Sequence, residues 1–138
     1  MAKKPSKIII DTNLWISFLI KSDFKQLDGL IKQGKIKILF SLESYEEFLS
    51  VVERPKFKKY FQREDVESLL ELFESYGELV QTLNDVNICR DEKDNFLLAL
   101  AKYSKADFLI TGDNDLLDLK KFQGTEIITF TSFLKLKL

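Results

Sequence analysis

Acidic side chains stand at the ends of several apolar segments of this sequence. Asp11 directly follows Lys-Ile-Ile-Ile. Asp91 comes two residues after another apolar segment, and Asp94 follows three residues later. Asp113 and Asp115 lie in Gly-Asp-Asn-Asp, just beyond a third apolar segment. Carboxylates that meet in one cleft repel one another, so a cluster of them requires protons or a bound cation.

The residue types that are missing narrow this chemistry. The chain has no histidine and a single cysteine, Cys89. This excludes Ser-His-Asp triads, Cys-His pairs, an internal disulfide framework, and zinc sites built on histidine or clustered thiolates. Oxygen ligands alone favour the hard cations Mg²⁺ or Mn²⁺, which polarise a phosphoryl oxygen and activate water for in-line attack. The acids are therefore candidates for metal-dependent phosphoryl chemistry.

Three of these positions also have a structural interpretation as helix caps. Asp11 is placed to cap the helix that follows it, although Thr12 and Asn13 are adequate caps themselves. Asp91 and Asp94 have the spacing of a capping-box-like pair, and both charges would favour a helix amino terminus. For Asp91 the capping interpretation and the site interpretation are about equally favoured.

Asp94 differs from the other acids because of the residues that follow it. The apolar residues Leu97, Leu98 and Ala101 follow Asp94 by 3, 4 and 7 residues, which is the spacing of one face of a helix. Asp94 therefore heads the buried stripe of a helix, where a carboxylate requires a partner. Asp113 and Asp115 lie in a turn sequence in which aspartate is common for local hydrogen-bonding reasons, and this alternative weighs more for Asp115.

The elements that must position these acids alternate along the chain. Five short runs rich in β-branched or aromatic residues predict strands. They are mostly unbroken rather than alternating, which is the pattern of strands buried on both faces. The predicted strands are Lys7–Ile10, Ile36–Phe40, Val86–Cys89, Phe108–Ile110 and Ile127–Phe130. Helical patterns fill the gaps, with Ser41 as an N-cap and glycines 34 and 77 as helix stops. The predicted helices are Leu14–Ile20, Phe24–Gln33, Leu42–Glu53, Glu64–Tyr76, Asp94–Lys105 and Asn114–Lys120.

This alternation predicts an α/β fold, a three-layer α/β/α sandwich with a mainly parallel sheet of about five strands. The carboxyl ends of parallel strands share one edge of the sheet, where ligands bind. Asp11, Asp94 and Asp113 are expected at that edge. Glu47, in the helix after the second strand, is within reach of it, although four glutamates share that helix and a solvated face is the default there.

Size and charge indicate one ordinary globular domain that spans residues 1–138. The chain has a mass of 16.1 kDa, with 45% hydrophobic and 31% charged residues and a net charge of −1. That balance argues against a surface that binds nucleic acid everywhere, but it allows a local basic patch. No signal peptide or membrane-spanning run is evident, so we expect an intracellular, cytoplasmic protein without membrane association.

Three segments together resemble the PIN-domain family of metal-dependent nucleases, and most closely its VapC-like toxins. The segments are IIIDTNLWISFL, SLESYEEFLSVVERPKF and CRDEKDNFLLALAKYSKADFLITGDNDLL, in the family's order and spacing. The resemblance covers nearly the whole chain. It implies catalytic and metal-binding roles for Asp11, Glu47, Asp94 and Asp113, with Asp115 as a substitute or additional metal ligand.

The resemblance also implies supporting roles and partners. Asn13 and Thr111 match polar positions that orient the acids, and Asp91 matches an aspartate with a structural role near them. Glu92 is a departure, because relatives often have proline there. The implied activity is internal cleavage of RNA with Mg²⁺ or Mn²⁺ in a prokaryotic cytoplasm. The implied partners are a small antitoxin protein and a second copy of the chain in a homodimer.

A basic segment is the best candidate for contact with RNA. RPKFKKYFQR interleaves three aromatic residues with basic ones that contact phosphates. The basic residues are Arg54, Lys56, Lys58, Lys59 and Arg63. The alternative is an amphipathic connector whose aromatics pack into the core while its lysines are solvated, and the aromatic spacing also suits this.

Two other functions remain open from the residues alone. One is a non-catalytic PIN-like module that binds a protein partner, although the complete set of acids argues against lost activity. The other is a phosphohydrolase that forms an aspartyl phosphate on Asp11. Such enzymes usually have a second aspartate two residues later, where this chain has Asn13.

Overall fold

A computed structural model describes residues 4–21, 25–83 and 85–136. Its strands are β1 Ser6–Ile10, β2 Ile36–Phe40, β3 Glu78–Leu79, β4 Phe108–Ile110, β5 Lys121–Phe122 and β6 Thr125–Ile128. Its helices are α1 Thr12–Lys21, α2 Lys25–Lys32, α3 Leu42–Val52, α4 Pro55–Lys58, α5 Arg63–Tyr76, α6 Glu92–Ser104, α7 Asn114–Leu117 and α8 Phe130–Leu134. The predicted helix start at Phe24 lies outside the described residues.

The strands of the described residues form one six-stranded sheet in the order β3-β2-β1-β4-β6-β5. Every pairing is parallel except that of β5 with β6. Strand β1 lies at the centre, and its last residue, Ile10, is in register with Ile110 at the end of β4. The residues that follow these two strands therefore emerge side by side at the carboxyl edge of the sheet.

Helices cover both faces of this sheet. Ile8 and Ile10 of β1 belong to a core cluster that α1, α2, α3, α5 and α8 complete. Ile9, between them, belongs to a second cluster with α6 and α7. Because alternate strand residues point to opposite faces, an unbroken apolar strand such as Ile8–Ile10 requires cover on both. The predicted α/β sandwich with a mainly parallel sheet is confirmed.

The predicted strand at Val86–Cys89 is wrong. These residues form an irregular segment, and its backbone hydrogen bonds go to a side chain instead of a neighbouring strand. The N–H groups of Ile88 and Cys89 donate to Oδ1 of Asn95 at 3.1 and 2.8 Å, and Nδ2 of Asn95 donates to the Cys89 carbonyl at 3.1 Å. The edge position beside β2 is taken by the two-residue strand β3.

Several predicted boundaries shift for local reasons. Strand β6 ends at Ile128 because Thr129 caps the short helix α8, its hydroxyl accepting from the Ser132 N–H. Helix α1 begins at Thr12, two residues before the predicted start. The chain leaves α2 through Gly34, whose φ of +74° is readily adopted only by glycine. Among the described residues, no helix is long and apolar enough to cross a lipid bilayer.

Candidate metal centre

Asp11 is held rigidly at the end of the central strand. Its carboxylate accepts hydrogen bonds from the Asn13 N–H at 3.1 Å and from the Thr111 hydroxyl at 2.8 Å. The residue is 7% exposed. Burial raises the pKa of Asp11 and the negative charges of Asp113 and Asp91 raise it further, against the two hydrogen bonds, which lower it. A partly desolvated carboxylate in this state favours a nearby cation.

Thr111 connects the ends of the two central strands. It follows β4 directly and is fully buried. Its hydroxyl donates to Oδ2 of Asp11 and accepts from the N–H of Asp113 at 3.0 Å. One hydroxyl therefore fixes the position of both acids, using the register between β1 and β4.

Three acids at this edge lie close enough together to share a metal ion. Asp94, Asp113 and Asp115 each offer one oxygen, and these oxygens lie within 4.8 Å of one another. Asp94 comes from the first turn of α6, whereas Asp113 is the N-cap of α7 and accepts from the N–H of Asp115 at 2.9 Å. We call Asp94, Asp113 and Asp115 the acidic triad.

Asp94 is the member of the acidic triad that most requires a counter-charge. It is 4% exposed, and its Oδ2 is buried without a hydrogen-bond partner among the described residues. Burial, a proton shared with Asp113, and the negative charges of Asp113, Asp91 and Asp11 raise the pKa of Asp94 to about 7. An unpartnered buried oxygen in an all-oxygen cluster fits a hard divalent cation such as Mg²⁺ or Mn²⁺. The residues present thus fit a metal ion.

The negative field extends to a neighbouring thiol. Burial raises the pKa of Cys89, and the nearby charges of the acidic triad and Asp91 raise it further. Asp91 itself is exposed and caps α6 by accepting from the Lys93 N–H at 3.0 Å. The capping interpretation of Asp91 is therefore correct in geometry, and its charge also contributes to the field at Asp94 and Asp11.

Glu47 is not a member of the acidic triad and pairs with a lysine instead. Its Oε1 is 3.1 Å from Nζ of Lys93, and its side chain is partly buried. Since Lys93 precedes Asp94, this ion pair places Glu47 beside the first turn of α6. Asn13, for its part, is exposed and contacts Asp11 through its backbone N–H.

Arg90, Lys93 and Asn95 have contacts at this edge that sequence reasoning missed. Nη2 of Arg90 lies 3.0 and 2.9 Å from the two carboxylate oxygens of Asp115, and Lys93 pairs with Glu47. Asn95 is buried and anchors the segment before α6. The sequence feature that could have indicated them is their proximity, because all three lie within a few residues of Asp91 and Asp94.

The basic segment 54–63 is divided between core packing and exposure. Phe57 and Phe61 pack partly buried against the first core cluster, as the connector interpretation predicts. Tyr60 is 54% exposed. Nζ of Lys59 lies 5.2 Å from the centre of the Tyr60 ring. Arg63 is paired with Glu67 in the first turns of α5.

Comparison with known proteins assigns the chain to a class. The PIN domain family matches residues 7–115. The chain therefore belongs to the PIN-domain family, whose members are generally nucleases and typically bind divalent metals.

Individual proteins that are similar to this chain include an archaeal relative and a solved structure. The uncharacterized protein MJ1680 of Methanocaldococcus jannaschii is 37% identical over 124 residues, which cover 87% of this chain and 79% of MJ1680. The crystal structure of PAE2754 from Pyrobaculum aerophilum superposes with a TM-score of 0.58 at 17% identity, over 98% of this chain and 97% of that one. The second comparison supports the PIN-like fold.

Proposed function

We propose that this PIN domain is a metal-dependent endoribonuclease. The observation that carries the proposal is the buried Oδ2 of Asp94, which lies beside Asp113 and Asp115 and has no hydrogen-bond partner in the described part of the chain. A cluster of this kind is costly to the fold. Retaining it makes physical sense if a cation occupies it during function.

Asp94, Asp113 and Asp115 would hold Mg²⁺ or Mn²⁺, with Asp11 fixed behind them by Thr111. When bound, the cation supplies Lewis acidity toward a phosphodiester and lowers the pKa of water. The chain's own contribution is to hold the carboxylates in place through the backbone caps and the Thr111 hydroxyl. Glu47 joins this set in the proposal, since the resemblance implies a ligand there and its partner Lys93 adjoins Asp94.

The negative charge of the acids explains why a cation is needed for an RNA phosphate to approach the acidic edge. Without one, the acidic edge repels phosphates. The exposed cations of the basic segment, together with the exposed Tyr60 ring, are proposed to contact the RNA away from the acids. Their removal is expected to weaken binding and reduce its salt dependence, while leaving Mn²⁺ affinity unchanged.

The direct test compares RNA cleavage by the wild type with cleavage by Asp94→Asn and Asp11→Asn. Each variant removes one negative charge from the site with little change of shape. We expect the wild type to cut RNA with Mg²⁺ or Mn²⁺, and both variants to lose at least 100-fold in rate, on the order of a catalytic group's usual contribution. Asp28→Asn, a surface acid paired with Lys32, is the matched control and is expected to cleave normally.

Two results would contradict the proposal. Equal cleavage by the wild type and both site variants would identify the activity as contamination. A calorimetric titration that shows no Mn²⁺ binding at millimolar concentration near neutral pH would remove the metal from the mechanism and favour a non-catalytic binding module.

We further propose that the protein acts as the toxin of a toxin–antitoxin pair in a prokaryotic cytoplasm, and that it forms a homodimer. The support is the resemblance to VapC-like sequences. A small open reading frame next to the gene should encode a protein that co-purifies with this chain and suppresses both cleavage and growth arrest. Light scattering of the purified chain tests the dimer, and a monomer at all concentrations would contradict it.

A further inference from the structure

A salt bridge occupies one carboxylate of the acidic triad. Nη2 of Arg90 donates to both carboxylate oxygens of Asp115, at 3.0 Å to Oδ1 and 2.9 Å to Oδ2. The Arg90 side chain is 87% exposed, and that of Asp115 is less than half exposed. Asp115 is the triad member that has a cationic partner among the described residues. One of the three oxygens that face one another is therefore shared with a guanidinium.

The backbone that carries Arg90 is anchored although its side chain is exposed. Asn95 binds the N–H groups of Ile88 and Cys89 and the Cys89 carbonyl, immediately before Arg90. Asp91, immediately after it, caps helix α6. A change of partner by Arg90 therefore requires rotation of its exposed side chain but no movement of the anchored backbone.

Competition for Asp115 follows from the charges. A solvent-exposed pair of one arginine and one carboxylate contributes little to stability. A divalent cation that interacts with three carboxylates at once would bind Asp115 more strongly than the Arg90 guanidinium does. A bound cation would repel the nearby Arg90 guanidinium, which would then favour an anion. Arginine matches phosphate oxygens in geometry and charge.

We propose that Arg90 switches partners during substrate binding. It pairs with Asp115 in the metal-free protein and contacts a backbone phosphate of the nucleic acid when a divalent cation takes Asp115. The proposal rests on the proposed function in one respect, since it takes the ligand to be a nucleic-acid phosphate. Arg90 is then a substrate-binding residue that also competes with the metal.

Metal affinity gives the first test, independent of catalysis. Mn²⁺ is titrated calorimetrically into the wild type, Arg90→Ala and Arg90→Lys. Removal of the competing positive charge is expected to tighten Mn²⁺ binding by about 3- to 10-fold in Arg90→Ala. Arg90→Lys is expected to stay near the wild type. Lys32→Ala, which removes an exposed cation paired with Asp28 on α2, is the matched control and should not change the affinity.

Binding of RNA gives the second test. A fluorescein-labelled single-stranded RNA is titrated by anisotropy in Ca²⁺ and in EDTA, and a gel of the same samples checks that the RNA stays intact. Arg90→Ala is expected to weaken binding by about 5- to 10-fold in Ca²⁺, the loss of one charge-assisted phosphate contact. In EDTA the change should be less than about 2-fold, since Arg90 is then paired with Asp115.

Several results would overturn the proposal. Weaker or unchanged Mn²⁺ binding by Arg90→Ala would show that Arg90 does not compete with the metal. Equal losses of RNA affinity in Ca²⁺ and EDTA would exclude switching, and no loss in either would exclude a phosphate contact. A wild type that shows the expected binding pattern but never cleaves RNA would refute the nuclease proposal and leave the switching of Arg90 supported.

Discussion

Replacing Asp94 with asparagine is expected to stabilise the metal-free protein, although it removes a central residue of the proposed site. Asp94 is 4% exposed, its Oδ2 has no hydrogen-bond partner among the described residues, and acidic neighbours surround it. Asparagine has nearly the same shape and no charge. Its amide can also donate to a neighbouring carboxylate, which the ionised Asp94 carboxylate cannot do.

The magnitude follows from the pKa of Asp94. Folding raises this pKa from an ordinary 3.8 to about 7, so below pH ~4 the carboxyl is protonated in both states and folding carries no penalty. Between pH ~4 and ~7 the folded state binds the extra proton, and stability falls as pH rises. Above pH 7 the whole penalty applies, ~4 kcal/mol at ~1.4 kcal/mol per pH unit. Burying the asparagine amide costs part of this gain, which leaves ~1–3 kcal/mol.

The assay is urea unfolding of the wild type and Asp94→Asn in EDTA at pH 5 and pH 8. We expect the advantage of the variant to grow from pH 5 to pH 8 and to reach ~1–3 kcal/mol. Asp28→Asn, which removes a partly exposed acid paired with Lys32, should change stability by less than ~0.5 kcal/mol at either pH. An Asp94→Asn variant that is less stable than the wild type at pH 8 would refute the reasoning, because the charge would then be well compensated within the fold.

Mn²⁺ should remove or reverse the stability advantage that Asp94→Asn has over the wild type in EDTA. At 100 times its dissociation constant, a cation that binds only the folded state adds ~2.7 kcal/mol of stability. The wild type should gain this amount at pH 8, whereas Asp94→Asn should gain little. A similar gain in both proteins would place the metal site elsewhere.

Three further predictions concern the same edge and its support. Thr111→Val should cost ~1–3 kcal/mol in urea unfolding, because it leaves the Asp11 carboxylate and the Asp113 N–H without their shared partner; Thr111→Ser should retain most of the stability, and equal losses would contradict this. Mn²⁺ affinity measured by calorimetry should rise by up to ~10-fold for each unit of increasing pH below pH 7, because the Asp94 carboxyl must lose its proton to bind the cation. An affinity that does not change with pH would exclude Asp94 as a ligand. Gly77→Ala should lower the free energy of unfolding by ~1–3 kcal/mol, because the added methyl would lie 2.6 Å from the Phe73 carbonyl oxygen and 2.7 Å from the Phe40 ring. An unchanged midpoint in thermal unfolding would show that Phe73 and Phe40 shift at little cost.

The central part of the fold was predictable because its strands are buried on both faces. β2 and β4 have the predicted bounds, since their residues are mostly apolar, as strands between two helical layers require. The edge elements were not predictable in this way. Strands β3 and β5 have two residues each, too few to show a period. Val86–Cys89 has a strand-like composition, but the Asn95 side chain binds its backbone.

The position of the candidate site was more predictable than its contacts. The ends of buried parallel strands place Asp11 and Asp113 at one edge. Helical spacing predicts that Asp94 is buried, and the structure confirms this. The salt bridges of Arg90 and Lys93 depend on where distant side chains meet in space, 25 residues apart in the case of Arg90 and Asp115. No local pattern encodes such a pairing.

Capping and metal binding are compatible at these aspartates because a carboxylate has two oxygens. Asp11 and Asp113 each accept a backbone N–H through Oδ1, the interaction of a helix cap or Asx turn. Such a hydrogen bond fixes the carboxylate plane while a lone pair on either oxygen can still face a cation. Within residues 4–21, 25–83 and 85–136, no backbone N–H donates to the Asp94 carboxylate, and the position of Asp94 depends on its burial in the stripe of α6. The capping hydrogen bonds therefore fix Asp11 and Asp113 in the candidate site before any cation binds. The buried Asp94 supplies the uncompensated negative charge that would favour a cation there.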